Sequence, residues 1–517
     1  MALTSEERKS AARPRQTRTF FVLLRAHRHE SLDADFQPLL AQSSRQEPGG
    51  PEPVDAGLLA LATLVQASGH VGERDAVELT VMDTRWPRVL DGLGAEPPPC
   101  RQGTLCTCRR RRIAHDVAKT LLDRTGALAE HPGGVGARPR RAVLDAPPLV
   151  GAGRVADPLT LLGHALRQAG GLAAQALGPS TVARREAAGL TLVGPSRLTA
   201  ALDLDGGESR ARARGLVLEE GARGQHGLEQ PPPLAVQAPP LQAVMETITP
   251  MSTPETAPAP AGGPGGRRIP QPVAPDRRLA IEEKALRPGR TSRATPCNGV
   301  QEHWAVDLES PVTREVVVRP ANEPEHEAVE LLAETLEQPP GLLQLAIDLG
   351  YMASPRIAQW AAQGVHIMAR PWPQVGPLFT KDDFTLDFAS MRVTCPNRQT
   401  VPMIPGRDTQ FPAAACDACA VRAQCTKAKL GHGRSLSIRA DEQFQQKLRA
   451  KIKTKRGRAS LRKRTAVEHA ISHQLAHQGR RARYKGLRKN QFDGRRHAAV
   501  SNLQVAARYA EERQLAS

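Results

Sequence analysis

The chain has 517 residues, a formal net charge of +18 and a pI of about 10.1. From Lys427 to the end there are 24 Lys and Arg against 6 Asp and Glu, an excess of 18 that equals the whole net charge. Such a concentrated basic surface suits a polyanion such as DNA. The sequence contains no apolar run of membrane-spanning length, and the apolar run from Phe20 to Leu24 is too short for the core of a signal peptide. We therefore expect a cytoplasmic, nucleoid-associated protein that does not bind membranes.

The composition also predicts that one segment of the chain does not fold into a packed core. Aromatic residues make up 3% of the chain, which contains 44 Pro and 43 Gly. Residues 225–275 hold the densest Pro and Gly tracts and are predicted to be a linker or a disordered insertion. The eight Cys, in a chain without a secretion signal, indicate thiols or metal ligands rather than disulfides.

Residues 54–130 carry apolar residues at helical spacing, so we predict an N-terminal helical domain over residues 1–135. A short helix around Phe36 to Leu40 is predicted to precede them. The four successive arginines from Arg109 to Arg112 suit contact with DNA about as well as they suit an exposed charged turn.

Residues 141–145 (RAVLD) read as a short strand that ends in Asp145, and a helical insertion follows within residues 136–224. An acid at the end of a strand presents a carboxylate at the rim of a sheet, but Asp also simply ends strands. Both interpretations remain open for Asp145 on this segment alone.

After the linker the pattern becomes α/β, and we predict a sheet layer over residues 276–390. Its strands are 303–308 and 313–320, as an antiparallel pair, then 342–351 and 365–369. Helices are predicted between them, one capped by Asn322 and another reaching Ala362. The strand 342–351 contains a second acid near its end, Asp348.

A cysteine-rich segment occupies residues 391–430. Cys395, Cys416, Cys419 and Cys425 have the spacing CX20CX2CX5C. This spacing is compatible with a tetrahedral zinc site, although the last interval is longer than usual. Reduced structural cysteines are an equally good interpretation.

The basic region from residue 431 to residue 517 contains a lone acid in a predicted helix. From Arg462 to Leu475 there is no Gly or Pro, and Glu468 lies near the start of this stretch with Arg464 four residues before it. Glu468 could form an ordinary ion pair on a solvated helix, or it could bind a metal ion beside the DNA backbone.

Several motifs together resemble an insertion-sequence transposase of the DDE class, from a branch whose catalytic domain carries a cysteine-rich insertion. They are LTVMDTRWPRVLDGLG, LDAPPLVGAGRVADPLTLLGHALR, IDLGYMASPRI, the cysteine block, RKRTAVEHAISH and GRRARYKGLRKNQFDGRRHAAVSNL. The resemblance implies a mixed α/β protein with an RNase H-like catalytic domain, in which two Asp and one Glu bind Mg²⁺ or Mn²⁺. It further implies double-stranded DNA as the partner, with a homodimer or larger assembly formed on the terminal inverted repeats. The N-terminal helical domain would then contribute recognition of the DNA ends.

Carried over residue by residue, the resemblance assigns the catalytic acids to Asp145, Asp348 and Glu468. Ala146 stands where the family has Ser or Thr, and Leu475 stands where a lysine is often found. Glu283 and Asp307 are therefore alternative first acids, and a decayed, inactive copy that only binds DNA is the alternative function. The residues expected to hold DNA phosphates are Arg464, Arg480, Arg481, Arg483, Lys485, Arg488 and Lys489.

Overall fold

The computed structural model describes residues 15–28, 32–42, 53–92, 95–130, 140–155, 277–290, 296–374, 376–462 and 478–516, with a few isolated positions between them. Most of the predicted helical insertion and of the linker 225–275 lies outside these ranges. Within that linker the description is limited to a two-residue antiparallel pair, β3 (Ala257–Pro258) and β4 (Arg267–Arg268).

The N-terminal part is helical, as predicted. Its helices are α1 (Arg15–Ala26), α2 (Gln37–Gln42), α3 (Ala56–Gly69), α4 (Glu73–Met82), α5 (Arg85–Leu90), α6 (Gln102–Ala114) and α7 (Val117–Glu130). Asp55 starts α3, because its side chain accepts a hydrogen bond from the Leu58 amide at 2.6 Å. Phe20 and Leu64 are buried at the centre of this part.

A mixed sheet forms the middle of the molecule. Its strands are β1 (Arg140–Asp145), β2 (Pro148–Val150), β5 (Arg287–Arg290), β6 (Pro296–Asp307), β7 (Thr313–Pro320), β8 (Leu342–Ala346) and β9 (His366–Met368). Across the sheet the order is β7, β6, β1, β8, β9. Strands β1, β8 and β9 are parallel, and β6 is antiparallel to both of its neighbours. The predicted antiparallel pair and the two later strands are therefore all present.

Helices cover both faces of this sheet. On one face α8 (Ala328–Glu337) and α9 (Pro355–Ala362) pack against strand residues such as Leu144 and Leu345. On the other face α7 and the C-terminal helix α13 (Leu487–Ala516) enclose Val143 and Trp304. The acid edge described below belongs to this second face.

Two details differ from the sequence predictions. Asn322 does not cap α8: a 3₁₀ turn over Glu325–Glu327 precedes that helix, and Pro324 is the residue before the turn. The strand predicted over 342–351 ends at Ala346, and Leu349–Tyr351 is a 3₁₀ turn. The helix thus begins later than its predicted cap indicates, and the strand ends earlier than hydrophobic periodicity indicates.

The N-terminal helices do not enclose a core of their own. Ala499, Leu503 and Ala506 of α13 are buried in the same cluster as Phe20 and Leu64. Arg496 of α13 donates a hydrogen bond to the side-chain oxygen of Gln66 in α3 at 2.9 Å. The first and last parts of the chain are therefore joined through one core.

A smaller lobe contains the cysteine-rich segment. Strands β10 (Thr385–Asp387), β11 (Arg392–Thr394) and β12 (Thr400–Pro402) form one antiparallel sheet, and β13 (Asp408–Gln410) pairs with β14 (Ser435–Ser437). The short helices α10 (Ala413–Asp417) and α11 (Arg422–Cys425) lie in sequence between β13 and β14. Helix α12 (Glu442–Lys453) then returns to the large sheet, where Lys451 donates a hydrogen bond to the Ile367 carbonyl at 3.1 Å.

Candidate active site

Asp145 and Asp348 lie at the carboxyl ends of two adjacent parallel strands. In the register of β1 with β8, Val143 is the partner of Ala346. Asp145 is the last residue of β1, whereas Asp348 lies two residues beyond the end of β8. When the register is continued by two residues, it puts the two acids level with each other and on the same face of the sheet. Neighbouring strands are about 4.8 Å apart, so two carboxylates at such positions are close neighbours. This edge of the sheet is called the acid edge below.

The local structure explains why both acids lie at a strand end. The residues before them, Val143, Leu144 and Ala346, are buried, whereas Asp145 is half-buried and Asp348 is exposed. The carboxylate of Asp348 accepts a hydrogen bond from the Leu349 amide at 2.8 Å and thereby starts the 3₁₀ turn. One oxygen of Asp348 therefore has a fixed direction.

A third carboxylate, Glu302, lies near the acid edge and was not predicted. Trp304 is the partner of Asp145 in the register of β6 with β1, and Glu302 is two residues further along the same face. Its backbone amide donates to the Pro147 carbonyl at 3.1 Å, and its side chain is fully buried. The strand predicted from the sequence begins at His303 and so leaves Glu302 out, whereas β6 begins at Pro296.

Burial raises the pKa of the Glu302 carboxyl to about 7. A hydrogen bond from the side-chain amide of Gln478, at 2.7 Å, acts in the opposite direction, whereas the negative charge of Asp493 raises the pKa further. Gly494 of α13 allows this close packing, since a Cβ atom at that position would lie 3.3 Å from the Glu302 carboxylate. Glu302 therefore holds a proton more strongly than an exposed glutamate does.

Glu468 and Arg464 lie outside the residues that the structure describes. The helix predicted from Arg462 to Leu475 also lies mostly outside the described residues, and Arg462 is the last residue of a described helical stretch that begins at residue 455. After them, the hydrogen bond from Gln478 brings the chain back to Glu302. The segment that contains Glu468 is thus followed, at Gln478, by a side-chain contact beside the acid edge.

The two alternative first acids have other roles in the structure. Glu283 is buried, and its carboxylate accepts hydrogen bonds from the amides of Gly153 at 2.6 Å and Gly486 at 3.4 Å. Asp307 accepts hydrogen bonds from the amides of Glu309 and Ser310 in the turn after β6. It is paired with Ala142, three residues or about 10 Å along β1 from Asp145. Neither contact set places these acids beside Asp348.

The basic residues after Gln478 divide into two groups. Arg480 and Arg481 are exposed on a segment held against β2, where Val150 donates to the Arg480 carbonyl at 2.9 Å and Ala482 donates to the Val150 carbonyl at 2.7 Å. Lys489 is also exposed. The second group has protein partners. Lys485 pairs with Glu282, Arg488 donates to the Ile113 carbonyl at 3.2 Å, and the half-buried Arg483 lies near the buried Asp493.

The arginine run of α6 has a structural role in part. Arg112 is fully buried and donates hydrogen bonds to the carbonyls of Leu59 and Ala56, at 2.8 and 2.9 Å, and to the hydroxyl of Thr63 at 2.8 Å. Arg109 pairs with Glu73 and stacks on the ring of Tyr484, 4.6 Å from its centroid. Neither interpretation from the sequence, DNA contact or an exposed turn, holds for Arg112.

The four cysteines of the small lobe line one cavity of about 50 Å³, together with Phe411 and Arg434. Burial raises the pKa of the Cys425 thiol; Arg434 lowers it, and the other three cysteines raise it. Within the described ranges, no group of three or more His, Cys, Asp or Glu is arranged to hold a metal ion as it stands. The cysteines therefore converge without closing on a common centre.

Part of the chain matches a known protein family. Residues 394–507 match a family model described as a transposase DDE domain. The matched segment contains the four cysteines, the Glu468 position and the first part of α13, while Asp145 and Asp348 precede it. Neither the curated proteins nor the solved structures include a match to the chain. None of the helices among the described residues is long and apolar enough to cross a membrane.

Proposed function

We propose that this chain, whose residues 394–507 match a transposase DDE domain, cleaves and transfers DNA strands at the terminal inverted repeats of an insertion sequence. The observation that carries the proposal is the level placement of Asp145 and Asp348 on adjacent parallel strands. Two residues that are about 200 positions apart in the chain thereby form one acidic pair. An RNase H-like catalytic domain with Glu468 as the third acid accounts for this arrangement.

The acid pair fits a divalent cation. Mg²⁺ and Mn²⁺ prefer oxygen ligands, and Asp145 and Asp348 supply two carboxylates at one edge, where Asp348 is exposed and Asp145 is half-buried. When bound, two such ions would stabilise the attacking and the leaving oxygen of an in-line displacement at phosphorus. Asp145, Asp348 and Glu468 are the residues that would hold them.

The remaining residues position the DNA. The exposed Arg480 and Arg481 are fixed by backbone hydrogen bonds to β2, which pairs with β6 just beyond the carboxyl end of β1. Their guanidinium groups would bind phosphates close to the acid edge. Lys489, together with the undescribed Arg464, would extend this contact. Lys485 and Arg488 would contribute less, because each is already engaged with the protein.

Recognition of the DNA ends by the N-terminal helices, and assembly of a homodimer or larger complex on paired ends, belong to the same proposal. The shared core of α13 with α3 joins the N-terminal helices to the helix that packs on the second face of the sheet.

The test is Mg²⁺-dependent cleavage of a duplex that carries the element's own ends. We expect Asp145→Asn, Asp348→Asn and Glu468→Gln each to lower the rate on the order of 1000-fold, equivalent to several kcal/mol of transition-state stabilisation, with DNA binding retained. Asp307→Asn is the matched control: it changes an acid of the same sheet and should leave cleavage near the wild-type rate.

Two results would contradict parts of the proposal. Loss of cleavage in Asp307→Asn or Glu283→Gln, with activity retained in Asp145→Asn, would show that the first acid is assigned wrongly. Intact DNA binding by a wild-type protein that cleaves nothing would establish the decayed copy, for which Ala146 and Leu475 are the first residues to revert to the family's types.

A further inference from the structure

The small lobe has a small apolar core. Its buried cluster consists of Phe384, Leu386, Val393, Val401, Met403, Phe411, Leu436 and Ile438. All of its strands are three residues long. Small folds of this kind usually depend on a disulfide or a structural metal in addition to their core.

Four thiols line one cavity in this lobe. Cys395 follows β11, Cys416 lies in α10, Cys419 comes directly after that helix, and Cys425 ends α11. All four line the same cavity, and all four are free thiols of intermediate exposure. The cavity volume of about 50 Å³ exceeds the roughly 10–15 Å³ needed for one water-sized guest.

The backbone around two of these sulfurs is already arranged for thiolate ligands. The Gln399 amide donates to the Cys395 sulfur at 3.3 Å, and the Arg434 amide donates to the Cys416 sulfur at 3.4 Å. The turn Cys395–Gln399 is closed by the Cys395 amide donating to the Gln399 carbonyl at 2.9 Å, with Arg398 at φ 63°. Hydrogen bonds of this kind stabilise the charged form of a ligand atom, so they favour metal-bound sulfur.

We propose that Cys395, Cys416, Cys419 and Cys425 bind one structural zinc ion, separate from the catalytic cations. Four sulfur ligands select Zn²⁺ over the Mg²⁺ or Mn²⁺ expected at the carboxylates. Rotation of the four side chains toward the cavity centre closes the site, with Zn–S distances of about 2.3 Å. The ion joins the turn after β11 to both short helices. None of the observations that support this zinc site comes from the acid edge.

Zinc content of the purified full-length chain tests this site. Elemental analysis should give about one zinc per chain for the wild type. Cys416→Ser and Cys425→Ser should each lose it. Cys106→Ser, which changes a thiol of similar exposure on α6, should keep it. Replacement of zinc by Co²⁺ should produce sulfur-to-cobalt charge-transfer absorption in the wild type and in Cys106→Ser, and in neither of the other variants.

A second measurement on the wild type guards against variants that fail to fold. Treatment with a chelator should make four additional thiols reactive toward a maleimide reagent, and added zinc should protect them again. The proposal would be overturned if the purified wild-type protein contained no zinc. It would also be overturned if the double variant Cys416→Ser/Cys425→Ser kept its full zinc content. Disulfides between these cysteines, detected by mass spectrometry without reductant, would overturn it as well. DNA cleavage is not among the readouts, so failure here and failure of the transposase proposal are distinguishable.

Discussion

The buried carboxylate of Glu302 accepts a hydrogen bond from the side-chain amide of Gln478 at 2.7 Å. This contact joins strand β6 to Gln478, which follows Glu468 by ten residues in the chain. It lies at the carboxyl end of β1, beside the acid edge. The packing that positions the acid edge therefore includes a carboxyl group that is itself held away from water.

We predict that Glu302 makes the protein less stable as the pH rises. Burial raises its folded-state pKa to about 7, above the ordinary value of 4.5 for a glutamate exposed to solvent. Between these two values the folded state binds more protons than the unfolded state, so stability is present at low pH and is lost as the pH rises to about 7. The full shift corresponds to an effect on the order of 3 kcal/mol.

The measurement is urea unfolding of the wild type and of Glu302→Gln at pH 5 and at pH 8. The difference in unfolding free energy between variant and wild type should move in favour of the variant as the pH rises. Glu282→Gln, which changes an exposed neighbour paired with Lys485, is the control and should show little of this trend. A pH-independent difference for Glu302→Gln would mean that Glu302 is charged in the folded state.

Arg112 is predicted to be a stability residue and to make no contact with DNA. Replacement by Met leaves the carbonyls of Ala56 and Leu59 without their guanidinium donor, which should cost about 1–3 kcal/mol of unfolding free energy. Arg110→Met, at an exposed neighbour on the same helix, should change stability by no more than about 0.5 kcal/mol. Weaker DNA binding by Arg112→Met, with unchanged unfolding, would instead place Arg112 at the DNA.

Arg481 is predicted to bind a phosphate. Arg481→Gln should weaken DNA binding at all sequences and reduce the slope of log K against log salt by about 0.9. Arg356 serves as the matched control, because its guanidinium is already paired with Glu330 at 2.8 Å on the other side of the sheet. The slopes are measured from DNA-binding isotherms between about 50 and 200 mM salt, where such slopes can be resolved. Equal slopes for Arg481→Gln and wild type would remove Arg481 from the interface.

Gly299 is predicted to be required for the pairing of β2 with β6. A Cβ atom at this position would lie 1.9 Å from the Leu149 carbonyl oxygen, and backbone cannot move aside as a flexible side chain can. Gly299→Ala should cost at least about 2 kcal/mol of unfolding free energy. Gly103→Ala on α6 has open space around it and should be neutral or stabilising by up to about 1 kcal/mol. Equal thermal stability of the two variants would show that β2 is not held as described.

Local order was largely predictable from the sequence. The helices over residues 54–130, the antiparallel pair and the strand that leads to Asp348 follow from apolar periodicity, which depends only on neighbouring residues. The concentration of charge after Lys427 and the cysteine spacing are likewise properties of the sequence itself. The family resemblance then connected these segments to one chemistry.

Contacts between distant segments were not predictable. Asp145 and Asp348 were each recognisable as an acid at a strand end, but only the parallel pairing of β1 with β8 makes them level and places them on one face. The same holds for Glu302, Arg112 and the shared core of α13 with the N-terminal helices, because a side chain's burial depends on which distant element covers it. Hydrophobic periodicity predicts which residues of an element face a core. Which other elements form that core, and which acids lie at the same edge of the sheet, depends on the packing of the whole chain.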